Sequence, residues 1–331
     1  MSAKIQKIVV RLQQTIKDGQ PYEAQQQTRV AASRHVKSKN WDSAIEILFN
    51  VAESLLKAGQ GGSGGDLSLM LVDVYNKAEL KPDPNNKGRL LTLLRLFDSD
   101  EPTRKKVLTL HSWSAKYGQY PAGEPDLHHV TGSIYAEERE IYEAERHLTL
   151  GTKDSPEILA NLEYEWYNQD DSHTAPIYAA RVVFPYLLAG NVRDANKSLQ
   201  IFLDKLTTMN KTIIVQNITS STTNVRIFPS LPLLNFLSLL LVAVQKDNPN
   251  SFKQLISRYS THIKEVLVWD DALALVGEIY FGISRPRQGN PLLDIMGSIF
   301  SGAPSAKPKT KRIGTVEVGN QIETPVADPL D

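Results

Sequence analysis

The sequence predicts an all-α fold: an irregular tetratricopeptide-like α-solenoid of helical hairpins, with one β-hairpin inserted in its C-terminal half. Three observations carry this. First, a tyrosine or histidine is followed nine residues on by alanine and four further by leucine in three places, His35/Ala44/Leu48, Tyr135/Ala144/Leu148 and Tyr186/Ala195/Leu199. That is the spacing of a packed helical pair: one residue late on the first helix, a small one where the next helix approaches closely, and a leucine one turn later filling the gap. Second, apolar residues recur at helical spacing along most of the chain between short Gly, Pro, Asn or Asp signals. Third, the stretch 210–230 breaks that pattern with two β-branched runs around a polar segment. The middle copy is the fullest, because Gly132, Tyr135, Ala144, Leu148 and Pro156 fall at tetratricopeptide intervals, with the proline expected to stop the second helix.

Taken in order, the first helix is amphipathic. Ile5, Ile8, Val9, Leu12 and Ile16 form one apolar stripe at about 100° per residue, and Lys4, Lys7 and Arg11 line a separate ridge beside it. Helices follow at roughly 21–38, 41–58, 66–80, 86–98, 102–117, 126–138, 140–150, 155–168, 174–189 and 192–208. The runs Thr212 to Val215 and Val225 to Phe228 then read as two strands joined by a Ser/Thr/Asn loop. An isolated hairpin is marginal in water, so this one needs a surface or a partner to hold it. Helices resume at roughly 232–246, 249–259, 261–267 and 270–283, followed by a short amphipathic segment, Leu292 to Phe300. The Pro-, Lys- and Thr-rich tail, 302–331, is expected to be disordered. The longest apolar run, Leu231 to Val244, contains Pro232, Asn235 and Ser238 and falls short of the roughly 20 residues of a membrane span, so it reads as a buried helix. Direct membrane insertion is not expected.

The 331 residues, 41% of them hydrophobic, suffice for a substantial core. With no cysteine there are no disulfides, thiol nucleophiles or thiolate zinc sites. The N-terminus is an amphipathic helix start and not a signal peptide, and together these features point to the cytoplasm. Formal net charge is zero but unevenly placed. Residues 1–40 carry eight Lys/Arg against Asp18 and Glu23, whereas residues 121–175 carry thirteen acidic against three basic. The N-terminal excess, including Arg34 and Lys37, reads as a binding face for a charged partner.

Chemistry-bearing motifs are sparse. Gly59-Gln60-Gly61-Gly62-Ser63-Gly64 satisfies G-x-G-x-x-G, but it follows a helix and no Walker lysine follows it, so no nucleotide cofactor is expected. It reads as a flexible connector, with Asp66 exposed at its edge and capping the next helix. The histidines show no metal spacing, no serine sits in a nucleophile elbow and no catalytic carboxylate pair stands out. The expectation is a protein without catalytic, cofactor or metal sites. The basic run 307–312 lacks the interleaved aromatics of single-stranded nucleic-acid binding, and no nucleic-acid partner is expected.

Tyr22-Glu23-Ala24, the Gly61 to Leu67 segment, Leu71-Val72-Asp73-Val74-Tyr75, Gly123 to His128, Tyr142 to His147 with Gly151 to Ser155, and Leu292 to Met296 form a distinctive set. Together they resemble the Golgi-to-ER-traffic protein four family, helical adaptors in the delivery of tail-anchored membrane proteins. The resemblance implies an N-terminal half, 1–150, that binds a targeting ATPase and restrains its hydrolysis before client loading. It also implies a C-terminal half, 151–301, that holds a ubiquitin-like protein, which recruits a co-chaperone indirectly. By position, Asp66 matches the family's ATPase-regulating acidic residue. Lys7 and Arg11 fall on the helix that carries the family's basic anchors, and with Lys4, Arg34 and Lys37 they make the expected ATPase-binding set. The hairpin and the helix after it would form the ubiquitin-like partner's groove, through Ile213, Val215, Val225, Ile227, Phe228, Leu231 and Leu234. A rival reading is a tetratricopeptide-like clamp for chaperone C-terminal peptides. That needs lysines and asparagines spread over successive repeats, whereas the basic excess here crowds onto the first two helices.

Overall fold

The computed structural model describes residues 2–98, 101, 104, 111–211, 213–219 and 224–283. These residues form fifteen α-helices and one small antiparallel sheet. The helices are α1 (Ala3–Lys17), α2 (Pro21–Lys37), α3 (Trp41–Lys57), α4 (Gly61–Lys77), α5 (Pro84–Leu94), α6 (His111–Tyr117), α7 (Pro125–Glu137), α8 (Ile141–Leu148), α9 (Ser155–Tyr167), α10 (Ala175–Leu188) and α11 (Val192–Met209). After β1 (Gln216–Thr219) and β2 (Asn224–Ile227) come α12 (Pro232–Gln245), α13 (Pro249–Arg258), α14 (Ser260–Lys264) and α15 (Trp269–Phe281). The chain divides into a unit of residues 1–284 and a second unit, 285–331. The expected segment at 292–300, the tail and most of the helix start before His111 lie outside the described residues.

One local device joins the helices. At the ends of α1, α2, α3, α4, α7, α10 and α12 a residue adopts the left-handed backbone: Gly19, Lys39, Gly59, Glu79, Arg139, Gly190 and Asp247. The N–H of the next residue then turns back to a carbonyl five positions earlier, as in Asn40 to His35 at 2.9 Å, Glu140 to Tyr135 at 2.9 Å and Asn191 to Tyr186 at 2.8 Å. The left-handed residue itself donates three positions back, as in Lys39 to Val36 at 3.0 Å. This pair of bonds satisfies carbonyls that the helix end would leave open, and it reverses the chain within a few residues. The first member of each predicted triplet, His35, Tyr135 or Tyr186, supplies the carbonyl that accepts in this turn. The alanine nine residues on lies in the first turn of the following helix, and Ala44, Ala144 and Ala195 are each fully buried, as are Leu48, Leu148 and Leu199.

The turn recurs where the sequence reading saw no triplet. Thr15 and Ala24 repeat it between α1 and α2, and Leu55 and Gly64 between α3 and α4, with Gln60 N–H donating to Leu55 O at 2.9 Å. This corrects the connector expected at 59–65. Only Gly59 is the turn, and α4 begins at Gly61, so Gly62 and Gly64 are helical and Asp66 lies inside the helix instead of capping it. The reason is packing: a Cβ on Gly64 would sit 2.6 Å from Leu56 Cγ and 3.3 Å from the Ala52 carbonyl, so close approach of α3 and α4 requires glycine. Pro156 is corrected too. It stands in the first turn of α9, where its missing N–H costs nothing, while α8 ends at Leu148.

The hairpin pairs Gln216 with Ile227 and Thr219 with Asn224. β1 therefore begins after the predicted run of 212–215, because Ile213 and Val215 pack against the helical core instead. Elsewhere most helices pack against the next and the next but one, which sets alternate helices in two layers. Buried apolar side chains fall into one cluster from Ile5 to Ile134 and another from Ala144 to Val276, and Tyr135 packs against both.

Within the second cluster Arg181 of α10 reaches Glu145 of α8 at 2.6 Å and Glu163 of α9 at 3.1 Å, with its guanidinium 4.9 Å from the Tyr142 ring centroid and 4.8 Å from that of Trp166. Glu163 is fully buried. Burial first, and then the neighbouring Glu145, push its carboxyl up to about 9, and burial also raises that of Glu145. One cation, two carboxyls and one shared proton balance the site.

Two predictions follow from this packing. Gly64→Ala should lower stability by about 1–3 kcal/mol through overpacking. Gly62→Ala, with open space around its Cβ, should raise it by up to about 1 kcal/mol through helix propensity; thermal melts of the two variants should move in opposite directions. For Glu163 the folded chain holds its proton up to about pH 9, and the unfolded chain releases it near 4.5. Its stabilising contribution is therefore complete below 4.5 and lost as pH rises through 9. Glu163→Gln should flatten the fall in melting temperature between pH 6 and 9, whereas Arg181→Met should destabilise by about 3 kcal/mol by leaving the single negative charge of the carboxyl pair without its cation.

Candidate interaction surfaces

The N-terminal surface is built on the amphipathic face of α1. Ile5, Val9, Leu12 and Ile16 are buried, which turns Lys4, Lys7 and Arg11 outward, all exposed. Arg34 and Lys37 are exposed on α2. Between α2 and α4 runs a groove of about 520 Å³, with Arg29 and Lys37 on one wall, Asp66, Asp73 and Lys77 on the other, and Met70 among the apolar residues between them. The structure thus brings Asp66 and Lys37 to one groove, while Lys4, Lys7 and Arg11 remain on α1.

Asp66 is half exposed and engaged by its own neighbours. Gln25 Nε2 donates to its Oδ2 at 2.9 Å, and an Arg29 guanidinium nitrogen lies 3.7 Å from the same oxygen. Ser63 Oγ donates to Gln25 Oε1 at 3.2 Å. Gln25 was invisible to the sequence reading, since nothing in its surroundings marks a glutamine as buried; it is 4% exposed.

The C-terminal surface centres on the hairpin. Asn235 of α12 acts as a substitute strand. Its Oδ1 accepts from Phe228 N–H at 2.7 Å, and its Nδ2 donates to Phe228 O at 2.9 Å. Arg226 of β2 pairs with Asp204 of α11. This fixing takes Phe228, Leu231 and Leu234 of the expected apolar set away from the surface. Phe228, Leu231 and Leu234 are buried in the helical core, and Ile213, Val215 and Ile227 are half-buried, while the Val225 side chain lies outside the described residues. The buried three seat the hairpin, and the exposed apolar side chains beside it are Met209 and Ile214, 74% and 69% exposed. The sequence reading found neither of these, nor Asn235, which it took only as an interruption of the apolar run.

Other polar arrangements are internal. His128 and His147 are buried, with their Nδ1 atoms 2.9 Å apart. His129 Nδ1 lies 2.8 Å from Ser155 Oγ, but Ser155 is fully buried and its hydroxyl accepts from Thr152 N–H at 3.0 Å, so it serves the turn before α9. Among the described residues no group of three or more His, Asp or Glu side chains is placed to hold a metal ion. No helix there is long and apolar enough to cross a membrane.

The fold and its two surfaces define an α-solenoid of the kind that works through protein contacts. The family model described as Golgi to ER traffic protein 4 matches residues 38–300. A protein of that name from Aspergillus fumigatus is 50% identical over 316 residues, covering 91% of each chain. Another from Schizosaccharomyces pombe is 35% identical over 309 residues, covering 92% of this chain and 98% of its own. The crystal structure of C. therm. Get4 superposes with a TM-score of 0.82 at 53% identity, covering 93% of this chain and 100% of that one. The chain belongs to the Golgi to ER traffic protein 4 family.

Asn235→Ala should release the hairpin. Leaving the buried Phe228 N–H and C=O without partners costs about 1–3 kcal/mol. Hydrogen exchange should quicken across β2 while the amides of α11 stay protected.

Proposed function

We propose that this chain is a non-enzymatic cytoplasmic scaffold that bridges a targeting ATPase and a ubiquitin-like protein, the latter bringing its client-loaded co-chaperone, for delivery of tail-anchored proteins to the ER membrane. The observation that carries the reading is the N-terminal surface: Lys4, Lys7 and Arg11 are exposed on α1 and Arg34 and Lys37 on α2, and α2 together with α4 walls the groove holding Asp66. The basic ridge attaches the ATPase, and Asp66 bears on its hydrolysis. The hairpin end supports the second contact, because it presents apolar Met209 and Ile214 beside a two-stranded sheet to which a partner segment can add. Two separate core clusters, one under each surface, let the ends act independently.

Paired charge and apolar substitutions test this. Lys7→Glu with Arg11→Glu should weaken ATPase binding about tenfold, at up to about 1 kcal/mol per surface pair. The loss should shrink as salt rises, and affinity for the ubiquitin-like protein should hold. Met209→Asp with Ile214→Asp should do the reverse. Calorimetric titrations in which either pair weakens both partners equally would overturn the assignment of ends.

A further inference from the structure

We propose that Gln25 is the positioning residue for Asp66, holding Oδ2 of its carboxylate so that Oδ1 is offered to a cationic group of the partner. The inference rests on the reading of Asp66 as the regulating group. Both neighbours of the carboxylate converge on one oxygen, Gln25 Nε2 at 2.9 Å and Arg29 at 3.7 Å, which leaves Oδ1 without a partner among the described residues.

The two contacts differ in kind. Arg29 is half exposed and at the long end of ion-pair range, so it is a counter-ion that a partner's cation can replace at little cost. Gln25 is 4% exposed and cannot turn its carboxamide to water. Its orientation is also fixed, because the carboxylate can only accept, so Nε2 faces Asp66 and Oε1 receives the Ser63 hydroxyl at 3.2 Å. Turning the amide over would set its oxygen against the carboxylate, acceptor against acceptor, and lose that bond, whereas the Ser63 hydroxyl can serve either orientation. Ser63 and Asp66 are one turn apart on α4, and Gln25 comes from α2 beside the fully buried Ala24. The three side chains meet because α2 and α4 pack directly against each other. A carboxylate held in one rotamer loses less freedom on binding than a free one, so it acts at a defined point on the partner.

The test uses the full-length chain with the targeting ATPase in its ATP-bound form, comparing Gln25→Leu, Asp66→Asn and the double variant by affinity, hydrolysis rate and melting temperature. Gln25→Leu should relieve the restraint on hydrolysis to within about twofold of Asp66→Asn, and the double variant should go no further, since Gln25 acts through Asp66. Affinity should stay within about threefold. Ser63→Ala, which keeps the core intact, should give a smaller effect of the same kind, and it serves if Gln25→Leu folds poorly. Full restraint in Gln25→Leu alongside relief in Asp66→Asn overturns the inference alone, as does additivity in the double variant. Full restraint in Asp66→Asn overturns the reading of Asp66 and the inference with it. In the free chain, Gln25→Leu should also move the Asp66 side-chain carboxyl ¹³C resonance; an unmoved resonance means the two groups are not joined and overturns the inference whatever the ATPase does.

Discussion

The left-handed turn that closes each helical pair is the constraint on which the rest of the structure depends. It reverses the chain over a fixed count of residues, and at every such turn but the one between α4 and α5 the following helix packs against the preceding one. In five of the seven turns the residue nine after the carbonyl acceptor is small, Ala24, Ala44, Gly64, Ala144 and Ala195, whereas after the turns at Glu79 and Asp247 it is Pro84 and Phe252. Four of the seven turns carry a side chain in the left-handed conformation, Lys39, Glu79, Arg139 and Asp247. A non-glycine residue there costs roughly 1 kcal/mol. The chain tolerates that cost because the turn's two hydrogen bonds satisfy carbonyls the helix end would otherwise expose.

That repeated register places the functional groups. Gln25 and Asp66 are brought together because α2 and α4, next neighbours but one, pack directly against each other, so a carboxylate on one helix is reached by a carboxamide on the other. The basic ridge of α1 is free for a partner for a complementary reason: the opposite stripe of that helix is consumed by the first core cluster. At the far end the logic is different. A two-stranded sheet has no core of its own, and Asn235 supplies the missing hydrogen-bonding edge from a helix, while Phe228 anchors the chain in apolar surroundings.

The sequence made the helical pairs legible wherever an aromatic or histidine marked the turn, and the apolar stripe of α1 told its buried face from its charged one without ambiguity. It misplaced α4 because glycine run and loop share a composition, and only the distance from Gly64 to Leu56 reveals a helix that needs its glycines. It misplaced β1 for a related reason: Ile213 and Val215 have the right residue types for a strand, but they spend their apolar surface on the helical core, and the pairing falls to the more polar Gln216 to Thr219. For the surfaces, charge was legible and position was not. Lys7 and Arg11 follow from helical periodicity, whereas Gln25 and Asn235 act through partners 41 and 7 residues away, a relation no local pattern encodes. Phe228, Leu231 and Leu234 were assigned to a partner because the resemblance places its groove at the hairpin and the helix after it, and a position along the chain does not tell a side chain facing the core from one facing out.

The central claim is that α1, α2 and α4 form one continuous surface for the ATPase, separate from the hairpin end. Hydrogen–deuterium exchange on the full chain, free and bound to the ATPase in its ATP form, tests it most directly. The account predicts slowed exchange in α1 and in the early turns of α2 and α4, with residues 213–236 unchanged. Protection confined to the hairpin and α12, or spread evenly over both ends, would contradict it.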